Sequence, residues 1–383
     1  MPRYPHIAPT IAGMTGSVYS SLAHRLQAFD GETYPFHIGD TWMEPAVGTR
    51  MEDLTVADYP GMHRYAPVQG RRDLLDVIST RTLERTGTAA EPSDILVTAG
   101  ATGALGAIIG AITEAGDEVL LLAPYWPLIS GIVRSSRATP VDVPLIGEAD
   151  SPETALDIVK SYLTDRTVAI YWNSPNNPTG RVIPKSWIEA LVAWAISEDL
   201  WILADEVYED YVFHGEHTYA RPLAPERTFS IHSCSKAFGM AGNRCGYAVG
   251  PGDKMRHVRK VSTHTFYSTP TAAQIAARRA LAGPGDVWAA EAREKYTEIG
   301  NAAASRLGIE PPEGSTFLFL DVAEFLDGEG LMGFLSKCVE RGILLAPGPS
   351  FGPYPTHVRF CYTAVPPEVT ARGVEALARL LER

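Results

Sequence analysis

Cysteine is scarce in this chain. Cys234, Cys245, Cys338 and Cys361 are its four, scattered with no C-x-x-C pair. That argues against a zinc ribbon or a disulfide scaffold and favours a reducing compartment. Long apolar runs are missing too. The longest, Val119 to Ile129, is too short to span a bilayer and contains two prolines. The opening residues, Met1 to His6, lack the apolar stretch of a secretory leader. No block of five like charges occurs, so no interaction tail is expected. No internal repeat or low-complexity segment is visible. Net charge is −12, which repels a phosphate backbone and argues against a nucleic-acid partner. These absences together describe a cytoplasmic protein that touches neither membrane nor nucleic acid.

What is present suits a folded enzyme-sized chain. Hydrophobic residues make up 45% and charged residues 20% of 383 positions, enough for roughly two or three domains. From about residue 94, apolar runs alternate with helical patterns. The runs are 94–98, 118–122, 167–171, 201–204, 228–232 and 245–249. Each is nearly continuously apolar, as strands buried on both faces are. Helical segments such as 101–114 and 185–197 lie between them. The spacing predicts an α/β fold, with a mostly parallel sheet flanked by helices. After residue 252 the pattern turns helical to about Leu307, with breaks near Pro270 and Gly283. Short strands at 316–320, 343–346 and 358–362 follow, then a helix over 367–381. The expected division is a large domain over 46–275 and a smaller α+β domain built from 1–45 and 276–383.

In an open parallel sheet, ligands bind outside the carboxyl ends of the strands. Five such ends carry suggestive residues. Ala99-Gly100-Ala101-Thr102-Gly103 follows the first; it suits either an anion at a helix N-terminus or an ordinary tight turn. Tyr125-Trp126 follows the second and can stack on a planar ring or pack in the core. Asn173-Ser174-Pro175-Asn176-Asn177-Pro178-Thr179-Gly180 follows the third, a turn-rich loop or something more specific. Asp205-Glu206-Val207-Tyr208 follows the fourth. An aspartate there needs a partner, either a cationic ring nitrogen or the backbone of a helix it caps. Ser233-Cys234-Ser235-Lys236 follows the fifth, with Arg244 eight residues on. A lysine at the end of a buried strand is a candidate nucleophilic amine, because desolvation disfavours its ammonium form. The alternative is a partly exposed lysine in a small-residue turn.

Taken in order, these motifs resemble a fold-type I pyridoxal-phosphate enzyme of the class I/II aminotransferase family, over essentially the whole chain. Asn-Asn-Pro-Thr-Gly at 176–180, Asp-x-x-Tyr at 205–208 and Ser-x-Ser-Lys with Arg244 occur together. Cys245 departs from the family pattern, where a larger aliphatic residue or alanine is usual. The resemblance implies pyridoxal 5'-phosphate as cofactor and transfer of an amino group between an L-amino acid and a 2-oxo acid. It makes Lys236 the lysine that carries the cofactor and shuttles the Cα proton. Asp205 becomes the partner of the ring nitrogen. Asn177 and Tyr208 become the donors to the ring phenolate oxygen, with Lys236, Asp205 and Tyr208 forming the catalytic set. Trp126 resembles the stacking aromatic, and Ala101, Thr102, Ser233 and Arg244 the phosphate cup. Arg359 resembles the clamp on the substrate carboxylate, beside Gly39 and Asn177; a salt bridge to Asp or Glu is its other reading. Tyr65 resembles the tyrosine that reaches a neighbouring subunit's phosphate, which implies a homodimer with shared sites.

The same motifs occur in lyases, cyclases and oxidases of this fold, and in non-catalytic ligand-binding relatives. One acidic-substrate branch carries a lysine where Thr102 stands, so strict aspartate specificity is not expected. Phe36, Trp42, Tyr125 and Phe317 read equally as side-chain pocket or core. His214, Glu216 and His217 form a polar loop better read as solvated than as a metal site, and no metal is expected. Arg256 to Lys260 reads as a solvated helix face.

Overall fold

The computed structural model describes residues 6–12, 14 and 20–382; the segment Met1–Pro5, read above for a leader, lies outside them. Its main sheet has seven strands: β1 (Ile95–Thr98), β2 (Glu118–Ala123), β3 (Thr139–Pro144), β4 (Thr167–Asn173), β5 (Trp201–Asp205), β6 (Thr228–Ser233) and β7 (Gly246–Val249). Their order is β1-β7-β6-β5-β4-β2-β3. The β2–β3, β2–β4, β4–β5 and β5–β6 pairs are parallel, and β7 runs antiparallel to both its neighbours. The carboxyl ends of β1, β2, β4, β5 and β6 therefore share one edge.

Burial explains the strand patterns. β5 and β6 carry Ile202, Leu203, Phe229 and Ile231 with no exposed surface, covered from both sides. Helices Gly100–Ile112 and Lys185–Ser197 pack among separate apolar clusters that share β5. Strand β3 is absent from the apolar runs because it is an edge. It mixes exposed residues, Thr139 and Asp142, with buried ones and carries Pro140 and Pro144, which an edge tolerates.

A second sheet holds β8 (Phe317–Asp321), β9 (Ala346–Pro347) and β10 (His357–Cys361), antiparallel in the order β8-β10-β9. The strand expected over 343–346 is corrected here. Only Ala346 joins this ladder, while Ile343 bridges Tyr34 in parallel. The Leu344 N–H donates to the Tyr34 carbonyl at 3.1 Å, so an N-terminal segment takes the hydrogen bonds the ladder would have used. The helical stretch is three helices, Gly252–Thr265, Thr271–Leu281 and Pro284–Leu307, broken at the expected proline and glycines. Pro367–Leu381 closes the fold. No helix among the described residues is long and apolar enough to cross a membrane.

Candidate active site

Strands β4, β5 and β6 end in Asn173, Asp205 and Ser233, and Asn173 stands opposite Asp205 in register. A cavity of about 190 Å³ opens over these ends. Ala101, Thr102, Trp126 and Asn177 line it from the β1, β2 and β4 ends. Asp205, Tyr208, Ser233, Lys236 and Arg244 line it from the β5 and β6 ends. Residues spread over more than 140 positions of sequence thus meet at one place.

Asp205 is buried and has no cationic partner of its own. The Tyr171 hydroxyl donates to its Oδ2 at 2.7 Å, and Oδ1 receives only a stretched contact from the Val207 N–H at 3.5 Å. Burial pushes its carboxyl up to about 6, against the Tyr171 hydrogen bond. Asn173 ties the adjoining loops together. Its Nδ2 donates to the Asp205 carbonyl at 2.9 Å, and its Oδ1 accepts from the Asn177 N–H at 2.7 Å. Asn176 faces away from the ligand space. It donates to the Pro124 carbonyl and accepts from the Thr179 N–H and hydroxyl, which fixes the loop that carries Asn177.

Lys236 lies in the single turn Cys234–Ala237, whose start Ser233 caps by accepting from the Ser235 N–H at 3.1 Å. Its Nζ donates to the Gly39 carbonyl. Burial lowers its ammonium affinity for the proton, reinforced by Arg359 and Arg244 and opposed by Asp40. Gly39 is itself closely packed. A Cβ there would stand 3.0 Å from the Phe317 ring and 3.9 Å from Arg359 Nη2.

The opposite end of the cavity is cationic. The first turn of helix Gly100–Ile112 faces it with N–H groups that have no partner within the helix. Arg244, in the left-handed region at φ 51°, donates to the carbonyls of Ala241 at 2.9 Å and Ala99 at 3.5 Å. No carboxylate lies within ion-pair distance of it among the described residues. Gly100, at φ +72°, lies so close that a Cβ would meet Arg244 Nη2 at 2.7 Å.

Arg359, from β10, approaches from the second sheet and is 4% exposed. It donates to Asn177 Oδ1 at 2.9 Å and to the His37 carbonyl at 2.6 Å. Its guanidinium lies between the rings of Phe317 and Phe351, at 4.4 and 4.9 Å. It has no Asp or Glu partner among the described residues, so the salt-bridge reading fails. Its Nε also finds no acceptor. Three candidates lie outside this lining: Gly39 and Arg359, which bond to its Lys236 and Asn177, and Tyr65. Tyr65 is 86% exposed and packs edge-on against Tyr267 at 5.2 Å.

The model of the family described as aminotransferase class I and II matches residues 35–377. This chain is a class I and II aminotransferase. The aminotransferase is 34% identical over 333 residues to the probable aspartate/prephenate aminotransferase of Thermus aquaticus, covering 84% of this chain and 83% of that one. It is 32% identical over 302 residues to the arginine–pyruvate transaminase of Pseudomonas aeruginosa, covering 76% of each. The solved aspartate aminotransferase of Thermus thermophilus with maleate superposes at a TM-score of 0.90 and 28% identity, over 98% of this chain and all of that one. The chain is thus an enzyme that moves an amino group between an amino acid and a 2-oxo acid, and its family implies pyridoxal phosphate.

Several site residues of the aminotransferase escape a reading by motif. Tyr171, His37 and Phe351 are among them. Period-two spacing before Asn173 is the one signal that points at Tyr171. A buried ionic cluster also lies behind the Asp205–Tyr208 segment. Arg85 binds Glu209 at 3.2 Å and Asp210 at 2.5 Å, and His232 meets Glu209 at 2.9 Å. Burial would raise the Glu209 carboxyl, but His232 and then Arg85 hold it well below the usual range. His217 belongs with this group rather than with solvent: it turns inward to 3.6 Å from Glu206. His214 and Glu216 are exposed as expected, and no metal-binding cluster occurs among the described residues. Phe36 is core, packed on Phe360 at 4.3 Å, and Trp42 packs on Tyr296. Tyr125 donates to Asp142 at 2.7 Å, and Phe317 floors the Arg359 site.

Proposed function

We propose that this aminotransferase holds pyridoxal 5'-phosphate in the strand-end cavity, with Lys236 as the residue that carries it, and acts on amino acids without strict preference for aspartate. The observation that carries the reading is the charge arrangement around Lys236. One desolvated amine, one carboxylate without a cation and one arginine without a carboxylate line the same space, and a second such arginine, Arg359, bonds to Asn177 at its wall. The residues fit the group. Arg244, Ser233 and the N–H groups of Ala101 and Thr102 suit a phosphate dianion. Asp205 suits a protonated ring nitrogen. Asn177 and Tyr208 suit a phenolate oxygen, and Trp126 suits a ring face. When bound, pyridoxal phosphate supplies a sink for negative charge at the substrate Cα.

The chain's own groups do the rest. Arg359 grips the substrate carboxylate as a bidentate fork and thereby sets which bond at Cα faces the reacting plane. Asn177, hydrogen-bonded to Arg359, couples that grip to the floor of the cavity, and the Gly39 backbone borders it. The Lys236 amine, its ammonium form disfavoured by burial, takes the Cα proton and returns it. Asp205 holds a proton at the ring nitrogen. Thr102 supports a broad substrate range, since it offers no cation for a distal carboxylate. So does the range of names its relatives carry, from aspartate/prephenate to arginine–pyruvate.

The exposure of Tyr65, with its resemblance to the tyrosine that reaches a neighbouring subunit's phosphate, supports a homodimer as the working enzyme. The unit over 46–275 binds the cofactor, and 1–45 with 276–383 forms the smaller domain that brings Arg359. The protein acts in the cytoplasm. Borohydride treatment of cofactor-loaded protein, followed by peptide mapping, should place the reduced adduct on Lys236. An adduct on another lysine removes the reading. So does an amino-acid panel that releases ammonia or peroxide without converting the cofactor to its amine form.

A further inference from the structure

We propose that Tyr171 is a positioning residue of this aminotransferase, whose buried hydroxyl holds the Asp205 carboxylate in the orientation that receives the cofactor's ring nitrogen. The inference rests on the pyridoxal phosphate reading above. Tyr171 lies within β4, two residues before Asn173, so both side chains project from one face. Its register partner on β5 is Leu203, and Asp205 follows two residues later. The phenol therefore lies behind the carboxylate, on the side away from the cavity, which it does not line.

Tyr171 has no exposed surface and sits in an apolar cluster with Leu121, Ile129 and Leu203. A hydroxyl placed there without a partner is costly. Its hydrogen bond is to Asp205 Oδ2 at 2.7 Å. That bond occupies one carboxylate oxygen and leaves Oδ1, with its 3.5 Å backbone contact, as the oxygen for a donor in the cavity. Four ionisable groups face Asp205: Tyr171 from β4, His232 from β6, and Glu206 and Tyr208 from its own segment. Burial drives Asp205 towards its neutral form. The Tyr171 hydrogen bond is the largest influence opposing it, ahead of the Val207 N–H and the His232 charge, while Glu206 adds to the burial effect. A neutral carboxyl no longer favours a protonated ring nitrogen, so the hydroxyl protects both geometry and charge.

The test is a double-mutant cycle on cofactor affinity, measured by equilibrium dialysis of the full chain with pyridoxal phosphate across pH 5 to 9. Tyr171→Phe keeps the ring and removes the donor. It should weaken affinity about 10- to 100-fold at neutral pH, the scale of one hydrogen bond to a charged group. It should also move the pH below which affinity declines upward relative to wild type. On an Asp205→Asn background the same substitution should change affinity less than twofold, because its effect runs through the carboxylate. Thermal melting of the cofactor-free variants checks that each folds, and Tyr171→Leu serves as a second variant without the donor. Equal losses on both backgrounds, or an unshifted pH profile, overturn the inference. Wild-type protein that takes up no pyridoxal phosphate overturns the cofactor reading itself. Normal wild-type uptake with an unchanged Tyr171→Phe overturns the inference alone.

Discussion

Replacing Arg359 with methionine separates a substrate clamp from a structural cation. Arg359 makes two hydrogen bonds, at 2.9 and 2.6 Å, and lies between two aromatic rings at 4.4 and 4.9 Å. Those contacts hold it in place but do not neutralise it, because no carboxylate pairs with it among the described residues. A buried cation without a counter-ion carries a desolvation cost of several kcal/mol. The hydrogen bonds and ring contacts, at about 0.5–2 kcal/mol each, offset it in part. Methionine removes both sides of that balance, so the melting temperature of the cofactor-loaded enzyme should move by no more than about 3 °C. Catalysis should respond differently. Truncating one partner of a buried, hydrogen-bonded ion pair costs about 2–5 kcal/mol. At about 1.36 kcal/mol per decade, kcat/KM for amino acids should fall about 30- to 5,000-fold. Amines without a carboxylate should react equally slowly with both proteins. Steady-state kinetics on paired substrates, run beside thermal melting, reads both effects. An Arg359→Met enzyme within threefold of wild type on amino acids refutes the clamp. So does a loss of equal size on simple amines, or a large fall in melting temperature with kinetics intact.

Two pH-dependent outcomes follow from the same site. Burial raises the Asp205 carboxyl from 3.8 to about 6, so the folded state binds its proton more tightly than the unfolded chain and stability is lost as pH rises through that window. Asp205→Asn should therefore stabilise the cofactor-free protein at pH 7 by up to about 3 kcal/mol and change little at pH 4, as denaturant melts at the two pH values will read. His37 is shifted the other way: burial, then repulsion from Arg359, lowers it from 6.5 to about 4. The unfolded chain takes that proton first, so stability on the order of 3 kcal/mol should be lost as pH falls from 6.5 towards 4. The His37 imidazole should titrate near 4 by NMR and move upward in Arg359→Met; a titration near 6.5 in the folded enzyme removes the argument.

Much of this fold is legible from burial alone. Strands covered on both faces must be apolar throughout, which is why the runs at β1, β2, β4, β5 and β6 announce themselves. Helices 185–197 and 367–381 match their patterns because Pro184 and Pro366 stop them from starting earlier. The site residues at strand ends are legible because a polar group at the end of an apolar run needs a reason. What hides is whatever depends on register between strands. Tyr171 looks like another apolar strand residue until Leu203 is known to lie opposite it. Ile343 looks like a strand of the small sheet until Tyr34, over 300 residues earlier, takes its hydrogen bonds. The ionic cluster of Arg85, Glu209, Asp210 and His232 joins a helix to a loop and a strand and leaves no local trace.

The charge pattern is what ties these pieces to one function. Structural ions come in pairs, and most buried ions of this chain obey that rule: Arg81 and Arg85 with Asp210, and His232 with Glu209. Two buried groups near Lys236, Asp205 and Arg359, break it, and the exposed Arg244 beside them has no carboxylate either. Arg244 binds only backbone carbonyls among the described residues, Arg359 binds an amide and a carbonyl, and Asp205 binds a phenol. Each lacks the opposite charge. In the reading proposed above, a ligand with a doubly charged anion at one end and a cationic nitrogen complements Arg244 and Asp205, leaving Arg359 for a second molecule bearing a carboxylate. Two arginines clear of carboxylates near one cavity, in a chain of net charge −12, suit the proposed binding and release of anions. Permanent acidic partners would stabilise the empty protein and compete with every turnover. On the proposed reading, substitutions that supply the counter-charges, such as a glutamate beside Arg359, should raise stability in denaturant melts as they abolish substrate binding.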